Sequence, residues 1–234
     1  MINSFSKIRI ISFDVDLTLT YSKKTDAFVF WSVLKKNGYP HIEFSKVKKA
    51  FSEANKIQEK KGYYWHNNAQ KLAHFIQVFR LHRLGIPANK KLIDKINYQF
   101  ANARNHSAYP DVIPTLEFLK KHNFTLAIVT NGIEPIIIDR LLSLHLLSYF
   151  SIIIAAATWK NKKPHPQPFQ QLIKLAKLKG ENILHIGDDP INDYQSAQTQ
   201  GIKTILIDRT HKFVGSHYDS ITDLTQLHTL FQSN

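Results

Sequence analysis

At 234 residues and 43% hydrophobic content, the chain can build one substantial core plus an inserted subdomain, and it is too apolar to stay disordered. It has no cysteine, which excludes disulfides and thiolate zinc sites. Its 31 Lys and Arg against 18 Asp and Glu give a formal net charge of +13, yet the basic residues are scattered through 46–49, 60–61, 90–91 and 174–179 with no dense block and no interleaved aromatics. They read as solvated helix faces and argue against a nucleic-acid surface, while their field suits a small anionic substrate.

The amino-terminal residues 1–7 carry no apolar signal segment, so a cytoplasmic location is the expectation. Ile8-Arg9-Ile10-Ile11-Ser12-Phe13 then forms a short apolar run that predicts a buried strand, ending in Asp14 and Asp16 with Thr18 just beyond. Residues 21–108 carry no convincing strand. Instead they show four apolar stripes at helical spacing: 27–34 stopped by Asn37-Gly38; Phe44, Val47, Phe51 and Ala54; Leu72, Phe75, Ile76 and Phe79; and Leu92, Ile93, Ile96 and Phe100. From Tyr109-Pro110-Asp111 onward, strands and helices alternate. Asp111 caps a predicted helix running to His122, and strands follow at 125–129, 152–154, 183–186 and 204–207. Predicted helices lie between them near 134–144, at 166–178 with Gly180 as the stop, and at 191–200; a last one uses Thr222 or Asp223 as cap and Leu224, Leu227, Leu230 and Phe231 as its apolar face. The longest apolar stretch, 136–157, is interrupted by Asp139, Arg140 and His145, so it reads as a helix and a strand of a core and not as a membrane span. This alternation predicts an α/β fold, a Rossmann-like parallel sheet flanked by helices, with a helical bundle inserted as a cap. The expected division is 1–19 with 109–234 as the core and 20–108 as the cap, joined by two chain crossings that suit a hinge.

Four segments at successive strand ends carry candidate chemistry. Asp14 and Asp16 can share a hard cation such as Mg2+ at a sheet's carboxyl edge, although Asp-x-Asp alone is common in loops. Thr130-Asn131-Gly132 offers a hydroxyl and an amide to an anion, and by itself is an ordinary turn. Lys163 stands before Pro164 as a fixed positive charge for a phosphate, or as a plain surface lysine at a helix start. Gly187-Asp188-Asp189 with Asp193 places three acids within six residues, where Asp189 or Asn192 equally serves as a helix cap. Their conjunction is stronger than any member.

Together these segments resemble the haloacid dehalogenase-like hydrolase superfamily over nearly the whole chain: Phe13-Asp14-Val15-Asp16-Leu17-Thr18 is similar to its first motif, Thr130-Asn131-Gly132 to its second, Lys163-Pro164 to its third, and Gly187-Asp188-Asp189 with Asp193 to its fourth. The resemblance implies a Mg2+-dependent phosphatase that hydrolyses a small phosphomonoester, of nucleotide or sugar-phosphate type, through an aspartyl-phosphate. Asp14 would be the nucleophile and Asp16 the acid and base. Asp14, the Asp16 backbone carbonyl and Asp188 would hold the metal, Thr130 and Asn131 the transferring oxygens, and Lys163 the shared negative charge. Thr18, Gly187, Asp189 and Asp193 would support them, Asp193 by orienting water or Lys163. Leu17 departs from the glycine common in the family. Asp16 is the acid that the family's dehalogenases lack, so it disfavours carbon–halogen cleavage, and Thr18 favours phosphatase over mutase. The competing readings are a phosphomutase of the same superfamily and a non-catalytic basic binding protein. The partner expected is a small phosphorylated metabolite, with no membrane and no oligomeric state specified. In the cap, Tyr63-Tyr64-Trp65-His66, Arg80 and Arg83 are candidates for stacking or anion contact, with helix packing and solvated arginines preferred.

Overall fold

In the computed structural model, which describes residues 5–62, 69–102, 106–132, 134–156 and 162–232, the first apolar run is a strand, β1 (Ile10–Phe13), with every residue buried. The chain passes a short strand, β2 (Thr20–Ser22), and enters four helices, α1 (Asp26–Lys36), α2 (Phe44–Gly62), α3 (Ala69–Arg83) and α4 (Lys90–Asn102). It leaves through β3 (His106–Ala108), which pairs with β2 in a two-stranded sheet. No strand is expected here from the sequence, because three residues are too few for a two-residue alternation to register. Helix and strand then alternate through α5 (Val112–Lys121), β4 (Thr125–Thr130), α6 (Glu134–Ser143), β5 (Ile152–Ala155), α7 (Gln167–Ala176), β6 (Ile183–Gly187), α8 (Ser196–Gln198), β7 (Lys203–Ile207), β8 (Ser220–Ile221) and α9 (Gln226–Gln232). Strand β8 was also missed, for the same reason.

The main sheet has the order β5-β4-β1-β6-β7-β8, and every pairing in it is parallel. The fold is α/β and Rossmann-like, as the alternation predicts. Residue parity sorts the core. Ile11, Phe13, Leu126, Ile128, Leu184 and Ile186 face a cluster closed by Leu116 and Leu119 of α5, Ile137 and Leu141 of α6, and Leu227 and Phe231 of α9. Ile10, Ala127, Val129 and Ile183 face the other way, onto Phe169 and Leu172 of α7 and onto Ala197. Truncating the fully buried Phe13 to alanine would remove about 3–5 kcal/mol of stability. The chain order reverses direction across the sheet between β1 and β6, and such a switch point opens a crevice beyond the strands' carboxyl ends.

By contact density the chain forms two compact units, 1–21 with 107–234 and 22–106. Within the helical unit, Phe30, Leu34, Val47, Phe51, Leu81, Ile93 and Ile96 make the core. The Thr25 hydroxyl starts α1 by accepting from the Phe28 N–H, and Gly38, at φ +92°, lies just past its end. The stripe expected on α3 is rotated: Ile76 and Leu81 are buried together with Gln77, while Phe75 and Phe79 are half-buried. Arg80 lies over the Phe51 ring at 3.8 Å, and Arg83 holds Glu53 through two hydrogen bonds of 2.6 and 3.0 Å, so both arginines are engaged inside this unit. Residues 63–66 lie outside the described set. Among the described residues, no helix is long and apolar enough to cross a membrane.

Three expected helices differ in detail. Asp111 precedes α5, but its carboxylate accepts from Leu224 N and Arg209 instead of from its own helix. Helix α7 stops at Ala176, with Lys177 in the left-handed region at φ +54°, before Gly180 is reached. The regular helix expected over 191–200 is a π-helical stretch, Pro190–Gln195, running into α8. There Tyr194 N reaches back to Asp189 O, while the Asp189 carboxylate caps Ile191 N and Asn192 N at 2.8 Å each.

Candidate active site

The carboxyl ends of β1, β4 and β6 converge, and Asp14 emerges from β1 with its N–H donating to Ile186 O at 2.9 Å. The turn that follows is tight. Leu19 N and Thr20 N both donate to Val15 O, Leu17 N donates to Thr20 O, and Leu17 takes φ +59° with its side chain half exposed. A left-handed non-glycine residue costs about 1–2 kcal/mol, which accounts physically for the glycine that Leu17 replaces in the motif it resembles.

Lys163 arrives from the far side. It is almost fully buried, and its Nζ donates to Asp14 Oδ1 at 2.8 Å, to Val129 O at 2.8 Å and to Asp193 Oδ1. Burial alone would lower this ammonium; the adjoining Asp14 and Asp193 charges outweigh that and hold it raised. Asn131 fixes the incoming backbone. Its Nδ2 donates to Lys163 O at 2.9 Å, and its Oδ1 accepts from Lys163 N at 2.8 Å. The amide expected to face an anion is therefore engaged with the lysine segment, while the Thr130 hydroxyl at the end of β4 accepts from Gly132 N at 3.3 Å.

Behind the lysine runs a buried polar chain that the sequence reading missed. Asp193 Oδ1 faces His185 Nε2 at 3.4 Å, and His185 Nδ1 faces Ser12 Oγ at 2.9 Å, with Ser12 and His185 in direct register across β1 and β6. Burial lowers His185 against the pull of Asp193, and so favours the neutral ring. The tautomer that satisfies both contacts donates from Nε2 to the carboxylate and accepts at Nδ1 from the serine. The only sequence signal was a histidine inside an apolar strand run.

Asp188 follows β6. Burial pushes its carboxyl up to about 7, helped by the charges of Asp14, Asp193 and Asp189. Asp14 is likewise raised to about 7 by burial, against the pull of Lys163 and with a push from Asp193. Asp193 goes the other way: burial would raise it, but Lys163 and the His185 hydrogen bond hold it low. Ligand oxygens of Asp14, Asp188 and Asp193 lie within 4.8 Å of one another. Fully ionised, the three carboxylates against one ammonium would leave two negative charges uncompensated, a cost that goes with the raised Asp14 and Asp188 and that a divalent hard cation would offset. Both Asp193 oxygens are engaged, one by Lys163 and one by Asp189 N, so Asp14 and Asp188 are the members with open lone pairs. Gly187 is required by packing: a Cβ there would lie 2.5 Å from the Asp193 Cβ.

Asp16 sits on the same turn, half exposed, with Oδ1 accepting from Arg140 Nη1 of α6 at 2.7 Å. The carbonyl of Thr18 accepts from Arg209 Nη2 at 2.7 Å. Asp189 is a helix cap, as above. Thus Asp14, Lys163, Asp188 and Asp193 form one constellation, flanked by Asp16, Thr130 and Asn131.

The sequence from residue 11 to 207 matches the haloacid dehalogenase-like hydrolase family. The chain belongs to that family. As a haloacid dehalogenase-like hydrolase it is an enzyme. It is 30% identical over 194 residues to a phosphoglycolate phosphatase of Photorhabdus laumondii subsp. laumondii, covering 83% of this chain and 77% of that protein. In fold it is similar to a 2-haloacid dehalogenase from Pseudomonas syringae pv. tomato DC3000, at TM-score 0.71 and 24% identity over 97% of this chain and 99% of that one. It is also similar to the HAD-hydrolase YfnB from Bacillus subtilis, crystallised bound to magnesium, at TM-score 0.76 and 19% identity over 96% and 99%.

Proposed function

We propose that this hydrolase is a Mg2+-dependent phosphatase that cleaves a small phosphomonoester through an aspartyl-phosphate on Asp14. The observation that carries the reading is the buried Lys163 ammonium bridging Asp14 and Asp193 beside Asp188. A carboxylate and a phosphate repel each other, and a nucleophile held between a fixed ammonium and an acidic site for a cation is arranged to overcome that repulsion. In this reading an Asp14 oxygen attacks phosphorus, the P–O bond to the alcohol breaks, and Asp16 gives its proton to the departing oxygen. Asp16 then takes a proton from water, which attacks the aspartyl-phosphate to release inorganic phosphate and restore Asp14. Thr130 supports the transferring oxygens, Asn131 fixes Lys163 by its main chain, and Asp193 aims the ammonium. Bound by Asp14, Asp188 and the Asp16 backbone carbonyl, magnesium would supply the positive charge that offsets the two excess anions.

Asp16 favours phosphoryl transfer over the dehalogenase chemistry named for the Pseudomonas structure, because an alkoxide leaving group needs a proton and a halide does not. The helices between residues 22 and 106 are proposed as the cap that selects the substrate. The Photorhabdus relative adds a small phosphorylated carboxylic acid to sugar phosphates and nucleotides as candidates. The cytoplasm, where such metabolites are held, is the compartment that goes with this reading. Phosphate release from p-nitrophenyl phosphate, with and without Mg2+, tests it. Asp14→Asn should abolish release, and activity that survives this substitution would remove Asp14 as nucleophile.

A further inference from the structure

The pairing of Asp16 with a helix residue outside the recognised motifs has a chemical use. Arg140 projects from α6, whose Ile137 and Leu141 are locked in the core, and its side chain is 8% exposed. Asp16, its partner, is 48% exposed and stands on a turn whose next residue is left-handed. As a stabilising device this is poor: a guanidinium is desolvated to meet a carboxylate that water largely screens, and such pairs return little free energy. As a positioning device it is effective. One carboxylate oxygen, Oδ1, is tied at 2.7 Å to a rigid helix, and among the described residues Asp16 Oδ2 has no hydrogen-bond partner. The carboxyl group thus has an anchored oxygen and an open one, beside the proposed nucleophile.

Resting on the phosphatase reading above, the geometry points to Arg140 as the positioning residue that aims the open Asp16 oxygen at the departing oxygen of the substrate. It touches neither phosphate nor nucleophile; its effect passes through Asp16. That separates it from the charge-neutralising Lys163, because only substrates whose leaving group needs a proton should register its loss.

The test compares kcat/KM for β-glycerophosphate, whose alkoxide must be protonated to depart, with kcat/KM for p-nitrophenyl phosphate, whose phenolate departs without a proton. This ratio reports only steps up to alcohol release, so the later hydrolysis of aspartyl-phosphate does not enter. Arg140→Met is expected to lower the alkyl value by about 10²-fold, the lower end of what a positioned acid contributes, and to leave the aryl value within a few-fold. Arg140→Lys, which keeps a charge and a donor, should recover part of the alkyl loss; it also carries the same comparison if the methionine variant does not fold. Adding Arg140→Met to Asp16→Asn should lower the alkyl value no further, since the two would act as one unit. Equal losses on both substrates, or no loss on the alkyl one, would overturn the assignment of Arg140 alone. No turnover of either substrate by the unaltered enzyme would overturn the phosphatase reading itself.

Discussion

Replacing Gly187 by alanine adds one methyl group and removes no functional atom, so its effect isolates the role of geometry at the site. The new Cβ would stand 2.5 Å from the Asp193 Cβ, where ordinary contact begins at 3.4 Å, so Asp193 must retreat by about 1 Å. That movement loosens the Asp193 grip on Lys163 and on Asp189 N, the latter a bond of 3.1 Å. Lys163 then aims less well at Asp14, and a misplacement of about 1 Å can lower turnover roughly 10²-fold. Overpacking of this kind destabilises by about 1–3 kcal/mol, which for a domain of this size lowers the melting temperature by several degrees without unfolding it at room temperature. The assay is kcat/KM for p-nitrophenyl phosphate with Mg2+ in excess, beside a thermal melt. Full activity in Gly187→Ala would refute the idea that the Asp193–Lys163 contact positions the proposed nucleophile, Asp14.

Two further outcomes concern stability. In the absence of divalent metal, Asp14 and Asp188 stand near 7 when folded, against 3.8 ordinarily, so between about pH 4 and 7 the folded chain binds more protons than the unfolded one and these groups make stability fall as pH rises. His185 and His228, held low by burial, pull the opposite way below their ordinary 6.5, whereas the Asp193 contribution is lost only below its ordinary 3.8. The melting temperature should therefore be followed from pH 5 to 8 as the difference between the unaltered protein and Asp188→Asn, with that difference shrinking on addition of Mg2+; a difference independent of both pH and Mg2+ would contradict the raised carboxyls. At Leu17, relief of a left-handed backbone worth about 1–2 kcal/mol is partly offset by the greater freedom of an unfolded glycine, so Leu17→Gly should gain roughly 0.5–1 kcal/mol in a urea melt. A loss there would mean that the half-exposed Leu17 side chain contributes packing that its exposure hides.

Much of this architecture was legible because it is periodic or clustered. The apolar run ending in Asp14 and Asp16, the three acids after Ile186, and the alternation beyond Tyr109 each declare themselves over several residues. What stayed hidden was single or short. Arg140 appeared only as an interruption of an apolar stretch, and His185 only as a polar letter in a strand; a lone residue has no period, and its partner lies 124 positions away in one case and eight in the other. Asn131 was visible, but a sequence does not say that its amide faces a lysine backbone 32 residues on. The three-residue strands fell below any alternation signal, and the π-helical turn after Asp189, whose carboxylate caps two N–H groups at once, has no residue period of its own in the sequence.

The polar chain from Ser12 to Asp193 sets two regimes of tolerance inside one sheet. On one face, Ile11 and Leu184 fill volume, and exchanges among aliphatic side chains of similar size should be accepted there with small losses. On the other, Ser12 and His185 are register partners joined by a hydrogen bond, so a size-matched apolar replacement of His185 would strip the Ser12 hydroxyl of its ring partner and Asp193 of one of its contacts. Along that second face tolerance therefore changes within one strand, from Ile10 and Ile183, which fill volume, to Ser12 and His185, which are held by partners.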